Sequence, residues 1–208
     1  MNQPAVTVID VGIGNIRSVV RMFELADADA RIARQPAALD DCRRLVLPGV
    51  GAFDAGMTKL RQGWLEPLNR LAFERAVPVL GICLGMQLLC RRSEEGTLPG
   101  LGWIQADVTK LDTGGRSDLK LPHMGWSVVT ATKANPLIPL GDVEQRFYHT
   151  HKYRAVCDSE EDVFATAEYG TTFTTGVWHG NVYGVQFHPE KSHRFGRSLI
   201  QRFLTVPC

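Results

Sequence analysis

Short β-branched runs alternate with helix-period segments from the start of the chain to about residue 92, and that alternation restricts the fold more than any other feature. Ala5 to Asp10 predicts a buried strand, stopped by Gly12 and Gly14. Asn15 predicts the cap of a helix in which Ile16, Val19, Val20 and Phe23 recur on one face. Ala30 to Ala33 and Arg44 to Leu47 predict two further strands, the second cut by Pro48-Gly49. Met57, Leu60, Trp64, Leu68 and Leu71 mark one face of a helix kinked at Pro67. Val77 to Ile82 predicts another apolar strand, and Leu84 to Arg92 has helical character. This rhythm implies the α/β class, with an open, mostly parallel sheet flanked by helices.

The second half reads differently. Runs near 101–109, 125–131, 152–156, 163–168, 172–178 and 182–187 are short, rich in Val, Thr and aromatics, and punctuated as hairpins are. Ser192 to Leu204 predicts a closing helix. The expectation is one domain over 1–208, its parallel sheet carrying an antiparallel extension. A length of 208 residues suffices for a layered core without staples. Basic and acidic residues number 23 and 22, so no global field favours nucleic acid or an anionic membrane. The mostly apolar run Pro78 to Cys90 is too short to span a bilayer, which takes roughly 20 residues. Met1-Asn2-Gln3-Pro4 has no basic n-region, so no signal peptide is expected. Cys42, Cys83, Cys90, Cys157 and Cys208 are odd in number and irregular in spacing, which points to a reducing compartment, by default the cytoplasm.

The chemistry is concentrated in three segments. In Gly81-Ile82-Cys83-Leu84-Gly85 a strand enters and a helix leaves. This is a nucleophile elbow with Cys at its tip, where flanking glycines leave room for a strained turn and the helix start favours thiolate. A thiolate needs a base, and the base needs an orienter. Gly184-Val185-Gln186-Phe187-His188-Pro189-Glu190 supplies both. In extended backbone, positions i and i+2 share a side, so Glu190 can hold one imidazole nitrogen of His188 while the other faces sulfur. Leu47-Pro48-Gly49-Val50-Gly51 is a glycine-rich turn whose peptide N–H groups can meet an oxyanion.

In this order and spacing, the three segments resemble the triad-type, class I glutamine amidotransferases. More narrowly, the segments at 10–19, 48–53, 81–89, 91–96, 122–126 and 187–192 resemble the glutaminase subunit of imidazole glycerol phosphate synthase, over essentially the whole chain. The resemblance implies a flavodoxin-like three-layer fold and hydrolysis of glutamine to glutamate and ammonia. Cys83 would be the nucleophile, His188 the proton shuttle and Glu190 its holder. Gly49, Val50 and Leu84 would form the oxyanion hole, with Gly51 as neighbouring hinge and Gln87 holding the substrate's amino-acid end. The ammonia would pass to a (β/α)8 cyclase partner in histidine biosynthesis. Ile13, Asn15, Met124, Gly125, Trp126 and Lys191 would lie toward that partner. A flexible Gly49-Val50-Gly51 peptide would act as the activity switch. The resemblance implies no cofactor.

Three departures bear on the partner: Val11 where Tyr is frequent, Ser127 where Asn is usual, and Phe147 to Tyr153 in place of a more typical F-V-H-S-Y segment. The stretches E-E-G-T-L-P-G-L-G-W and H-P-E-K-S-H also resemble a paralogous branch that supplies ammonia for nitrogen-bearing sugars of surface polysaccharide. A peptidase on the same scaffold would lack Gln87 and the P-G-V-G turn, and a non-catalytic subunit would have lost Cys83, His188 or Glu190. His123, His149, His151 and His193 invite a metal reading, but no Cys or carboxylate spacing for zinc accompanies them, so a polar surface or interface face is expected instead. Glu160-Glu161-Asp162 predicts a solvated turn, and Arg91-Arg92 with Glu94-Glu95 a helix end with local pairing. Trp64 and Trp103 are expected in the core.

Overall fold

The structure is a computed structural model and describes residues 5–141 and 143–207. The segment Met1 to Pro4, to which the signal-peptide expectation applies, and Cys208 lie outside the described residues.

The elements run β1 (Ala5–Ile9), α1 (Ile16–Glu24), β2 (Asp29–Ala33), β3 (Leu45–Gly49), α2 (Phe53–Leu60), α3 (Leu65–Asn69), β4 (Val79–Cys83) and α4 (Leu84–Leu89). There follow β5 (Arg92–Ser93), β6 (Ala106–Lys110), β7 (His123–Ala131), β8 (Gln145–His151), β9 (Tyr153–Cys157), β10 (Val163–Tyr169), β11 (Thr171–His179), β12 (Val182–Val185) and α5 (His193–Leu204). The main sheet has the order β2-β1-β3-β4-β12-β11-β10-β7-β8. Its first five strands are parallel, and from β12 onward neighbours are antiparallel. β9 branches from β11 and carries β6 and then β5.

Two cores sandwich the parallel strands, because side chains alternate across a strand. Val8, Val46, Leu80, Ile82 and Val185 face α1 and α5, where Phe23, Leu199 and Phe203 are buried. Ile9, Leu45, Leu47, Val79 and Val182 face the opposite way, onto Met57, Leu60, Leu68 and Leu88. The result is the expected three-layer α/β fold with an antiparallel extension. Asn15 caps α1, its side chain accepting from the Ser18 N–H at 3.3 Å. Trp64 and Trp103 are buried. No helix among the described residues is long and apolar enough to cross a membrane.

Four expectations are corrected. Pro48-Gly49 does not cut the third strand, since β3 runs through Gly49 and pairs Pro48 with Ile82 and Gly49 with Cys83. Pairing with β1 ends at Val46, so the N–H that proline lacks falls beyond that ladder. The helix over 57–71 breaks at Arg61–Trp64, where Gly63 takes a φ of 86°, and Pro67 sits in the first turn of α3, where no intrahelical N–H is needed. Arg91 and Arg92 pair with Asp107 and Asp158 rather than with the following glutamates. The acidic turn is not wholly solvated: Asp162 is buried and accepts from His179 Nδ1 at 2.9 Å.

Candidate active site

The parallel pairing of β4 with β12 builds the site. Val185 lies beside Ile82, so the residues following each strand leave the same sheet edge together. Ligands of open α/β sheets gather at the carboxyl ends of strands. Cys83 ends β4 at φ 54° and ψ −110°, a region costing a non-glycine residue of order 1–3 kcal/mol. The elbow persists because its neighbours are glycines. A Cβ on Gly81 would come 2.8 Å from Met86 Cα, and one on Gly85 would overlap the carbonyl oxygen of Leu47.

His188 follows β12 and is pinned by β8. Its N–H donates to the Tyr148 carbonyl at 2.9 Å. The buried Ser192 hydroxyl donates to the His188 carbonyl at 2.6 Å and accepts from the Tyr148 N–H at 3.0 Å. Sequence reading gave Ser192 no role, since a serine after H-P-E-K carries no pattern of its own. The imidazole Nδ1 donates to Glu190 Oε1 at 2.7 Å, with side chains only 1% and 5% exposed. The backbone between them is a tight 3-10 turn over Pro189–Lys191, not the extended chain that alternation implied, because proline opens that turn. The opposite nitrogen, Nε2, is buried without an aligned hydrogen-bond partner, as is Glu190 Oε2. Burial opposes charge on this ring, but hydrogen bonding and charge interaction with Cys83 and Glu190 outweigh it and raise the His188 pKa to about 9. Cys83 Sγ lies 4.0 Å from the Thr150 carbonyl and accepts from Gln186 Nε2 at 3.7 Å.

A pocket of about 470 Å³ opens over the sulfur, walled by Val50, Gly51, Leu84, Gln87, His151 and Tyr153. Leu84 opens α4, so its N–H has no partner within the helix. The Val50 N–H instead donates to the Ile13 carbonyl at 3.3 Å, and Gly51 follows at φ 107°. Gly49 is buried in β3 against Leu84.

Residues 7–206 match the family described as glutamine amidotransferase class-I. An imidazole glycerol phosphate synthase subunit HisH 2 from Methanococcus maripaludis is 42% identical over 96% of this chain and 98% of its own. The subunit of the same name from Pseudomonas aeruginosa is 42% identical over 97% and 99%, and the HisH subunit from Leptospira interrogans 39% over 96% and 98%. The chain belongs to the class I glutamine amidotransferases. Among these enzymes it belongs with the HisH glutaminase subunits of imidazole glycerol phosphate synthase. Solved structures agree in fold: PurLQS from Thermotoga maritima superposes with a TM-score of 0.76 at 20% identity over 97% of this chain and 98% of that one. A glutamine amidotransferase from the same organism gives 0.65 at 17% over 99% and 100%.

The remaining candidates in this amidotransferase divide. Met124 and Trp126 point outward from β7, 63% and 44% exposed, and Trp126 stacks on His193. Gly125 between them is half-buried at φ 145°. The Lys191 ammonium lies 5.8 Å over the Tyr148 ring, which also meets Trp126 edge-on. Ile13 is half-buried and reaches the site through its carbonyl, and the exposed Asn15 is occupied as a helix cap. The histidines are a correction. His123, His149 and His151 are buried, not a surface face, and burial pushes the pKa of His123 to about 4, that of His149 well below 6.5 and that of His151 to about 3. His123 Nδ1 and His151 Nε2 lie 3.3 Å apart, and His151 Nδ1 donates to the Tyr153 carbonyl. His193 lies apart from them against Trp126. Among the described residues no group of His, Cys, Asp or Glu is arranged to hold a metal ion.

Proposed function

We propose that residues 1–208 act as one glutaminase domain, hydrolysing glutamine through Cys83, His188 and Glu190 and delivering the ammonia to a (β/α)8 cyclase subunit that makes imidazole glycerol phosphate in histidine biosynthesis. The observation that carries this reading is the buried His188, held by Glu190 through Nδ1 and left with an open Nε2 beside a cysteine on a strained elbow. The HisH relatives support the pathway and a partner subunit. The setting is the cytoplasm.

Cys83 attacks the side-chain amide carbon of glutamine, and a C–S bond forms while the carbonyl electron pair moves to oxygen. The Leu84 N–H and the Val50 N–H meet that oxyanion, each donor contributing about 3–4 kcal/mol at the transition state. Val50 serves only after its peptide turns away from the Ile13 carbonyl, and the adjoining glycines Gly49 and Gly51 permit that rotation. The imidazolium of His188 gives its proton to the departing nitrogen, the C–N bond breaks, and ammonia leaves a glutamyl thioester. His188 then takes a proton from water, hydroxide adds to the thioester carbon, and the C–S bond breaks to release glutamate. Glu190 holds the ring in one orientation and favours its charged form throughout. Gln87 has its amide N–H groups on the Tyr153 carbonyl at 3.4 Å and Gln186 Oε1 at 3.0 Å, so it offers the substrate an acceptor oxygen, suited to an α-ammonium.

Ammonia set free in water is mostly protonated and loses its nucleophilicity, which favours a covered path to the partner. Ile13, Asn15, Met124, Trp126 and Lys191 contribute to the docking face. Mixing Cys83→Ala with the cyclase separates the two halves of the reaction. Glutamine-dependent synthesis should fall at least 10⁴-fold while synthesis from added ammonium salt persists. Retained glutamine use, or stimulation of the unmodified chain only by a sugar-modifying synthase, would overturn the assignment.

A further inference from the structure

We infer that Gln186 is a positioning residue for the nucleophile: its side-chain N–H holds the sulfur of Cys83, and Gln87 with the Tyr153 carbonyl fixes which way that amide faces. The inference rests on the glutaminase reading and adds a residue to it. Gln186 is the first residue past β12, in step with Cys83 at the end of the paired β4, and it is wholly buried. Its orientation follows from donor and acceptor counting. The Tyr153 carbonyl only accepts, so the group facing it on Gln87 is the NH₂, at 3.4 Å. The same NH₂ lies 3.0 Å from Gln186, which must therefore present its oxygen. The Gln186 NH₂ is left facing Cys83 Sγ, at 3.7 Å. His151 Nδ1 donates to the same Tyr153 carbonyl at 2.8 Å, filling its second lone pair. A buried amide is costly unless each polar atom is satisfied, and here that is met with the sulfur as one partner. An N–H aimed at sulfur stabilises the thiolate over the thiol. His188 interacts with the same sulfur, so an amide donor and an imidazole both act on it.

The test is the rate at which iodoacetamide alkylates Cys83, followed by peptide mass spectrometry from pH 5 to 10. This reads the thiolate directly and needs no partner subunit. The titratable groups around the sulfur are His188 with Glu190 behind it, His151 on β8, and Glu95, Lys152 and Tyr153 in the pocket wall, and Gln186→Met changes none of them. In Gln186→Met the pH of half-maximal alkylation should rise by about one unit, a tenfold loss of thiolate at lower pH. Gln87→Met leaves Gln186 present but unheld, and its midpoint should rise by about half a unit. A folded Gln186→Met with an unmoved midpoint overturns the inference. If that variant does not fold, an unmoved midpoint in Gln87→Met does the same. Failure of the parent reading is distinct: Cys83 in the unmodified chain would then show no alkylation faster than a free peptide cysteine.

Discussion

At the scale of single residues, the site is organised by which atoms lack partners. Among the described residues, four buried side-chain polar atoms have no hydrogen-bond partner, and two of them, His188 Nε2 and Glu190 Oε2, belong to the base and its holder. The raised His188 pKa has a stability consequence. A group whose pKa rises on folding stabilises the native state most below its unfolded value, about 6.5, and loses that contribution as pH passes through about 9. Glu190→Gln removes one cause of the rise. It should therefore destabilise the protein most at pH 6, by roughly 1–3 kcal/mol, the range for a hydrogen bond to a charged group. The difference should shrink by pH 9.5, and urea titrations at the two values check it. A larger loss at pH 9.5 than at pH 6 would reverse the sign and refute the assignment of charge. Ser192 acts through the backbone instead, joining the His188 carbonyl to the Tyr148 N–H. Ser192→Ala leaves the Tyr148 N–H without that acceptor, while the His188 carbonyl keeps the Lys191 N–H at 3.0 Å, and thermal unfolding should report a loss of about 1–3 kcal/mol.

At the scale of elements, the parallel half of the sheet is legible because its strands are short, mostly apolar runs, with glycine at or just past the ends of β1, β3 and β4, and because α1 shows its period. The cysteine elbow is legible for the same reason, since only glycine fits at 81 and 85. Gly85→Ala puts a methyl group onto the Leu47 carbonyl, a backbone atom of a central strand that cannot swing aside. The expected cost is about 1–3 kcal/mol by thermal melting, with Cys83 displaced and its labelling lost. Undiminished stability would mean that β3 and α4 are not in such close contact. β8 is harder to read from sequence. Its inward positions are Gln145, Phe147, His149 and His151, so three polar residues hide the buried alternation. The break between α2 and α3 is hidden by the opposite fault. The helical period runs on through Trp64 while Gly63 alone turns the chain, and Pro67 is a misleading cue. The His188 to Glu190 contact is correct in outcome and wrong in route, because spacing of two suits both extended chain and a tight turn.

At the scale of the whole molecule, the nucleophile and its base are 105 positions apart in sequence and meet because the closing strand β12 returns parallel beside β4. The exposed Met124 and Trp126 stand on the β7–β8 hairpin, whose Tyr148 backbone pins His188, so a partner seated there presses on the same strands that hold the base. Truncating a central aromatic of an interface commonly costs more than 1 kcal/mol. Trp126→Ala should thus raise the cyclase concentration giving half-maximal glutaminase stimulation about tenfold. An unchanged value would move the docking face elsewhere. The resting Val50 to Ile13 hydrogen bond belongs to the same scale, and the isolated chain should turn over glutamine slowly until a loaded partner is added. The central claim is that Cys83, driven by His188, attacks a glutamine amide. Its most direct measurement is covalent labelling by a glutamine analogue bearing a diazoketone in place of the amide, with the modified peptide located by mass spectrometry. One adduct is expected, on Cys83, suppressed by excess glutamine and slowed at least a hundredfold in His188→Ala. An adduct on another residue, or labelling of Cys83 indifferent to glutamine and to His188, would contradict it.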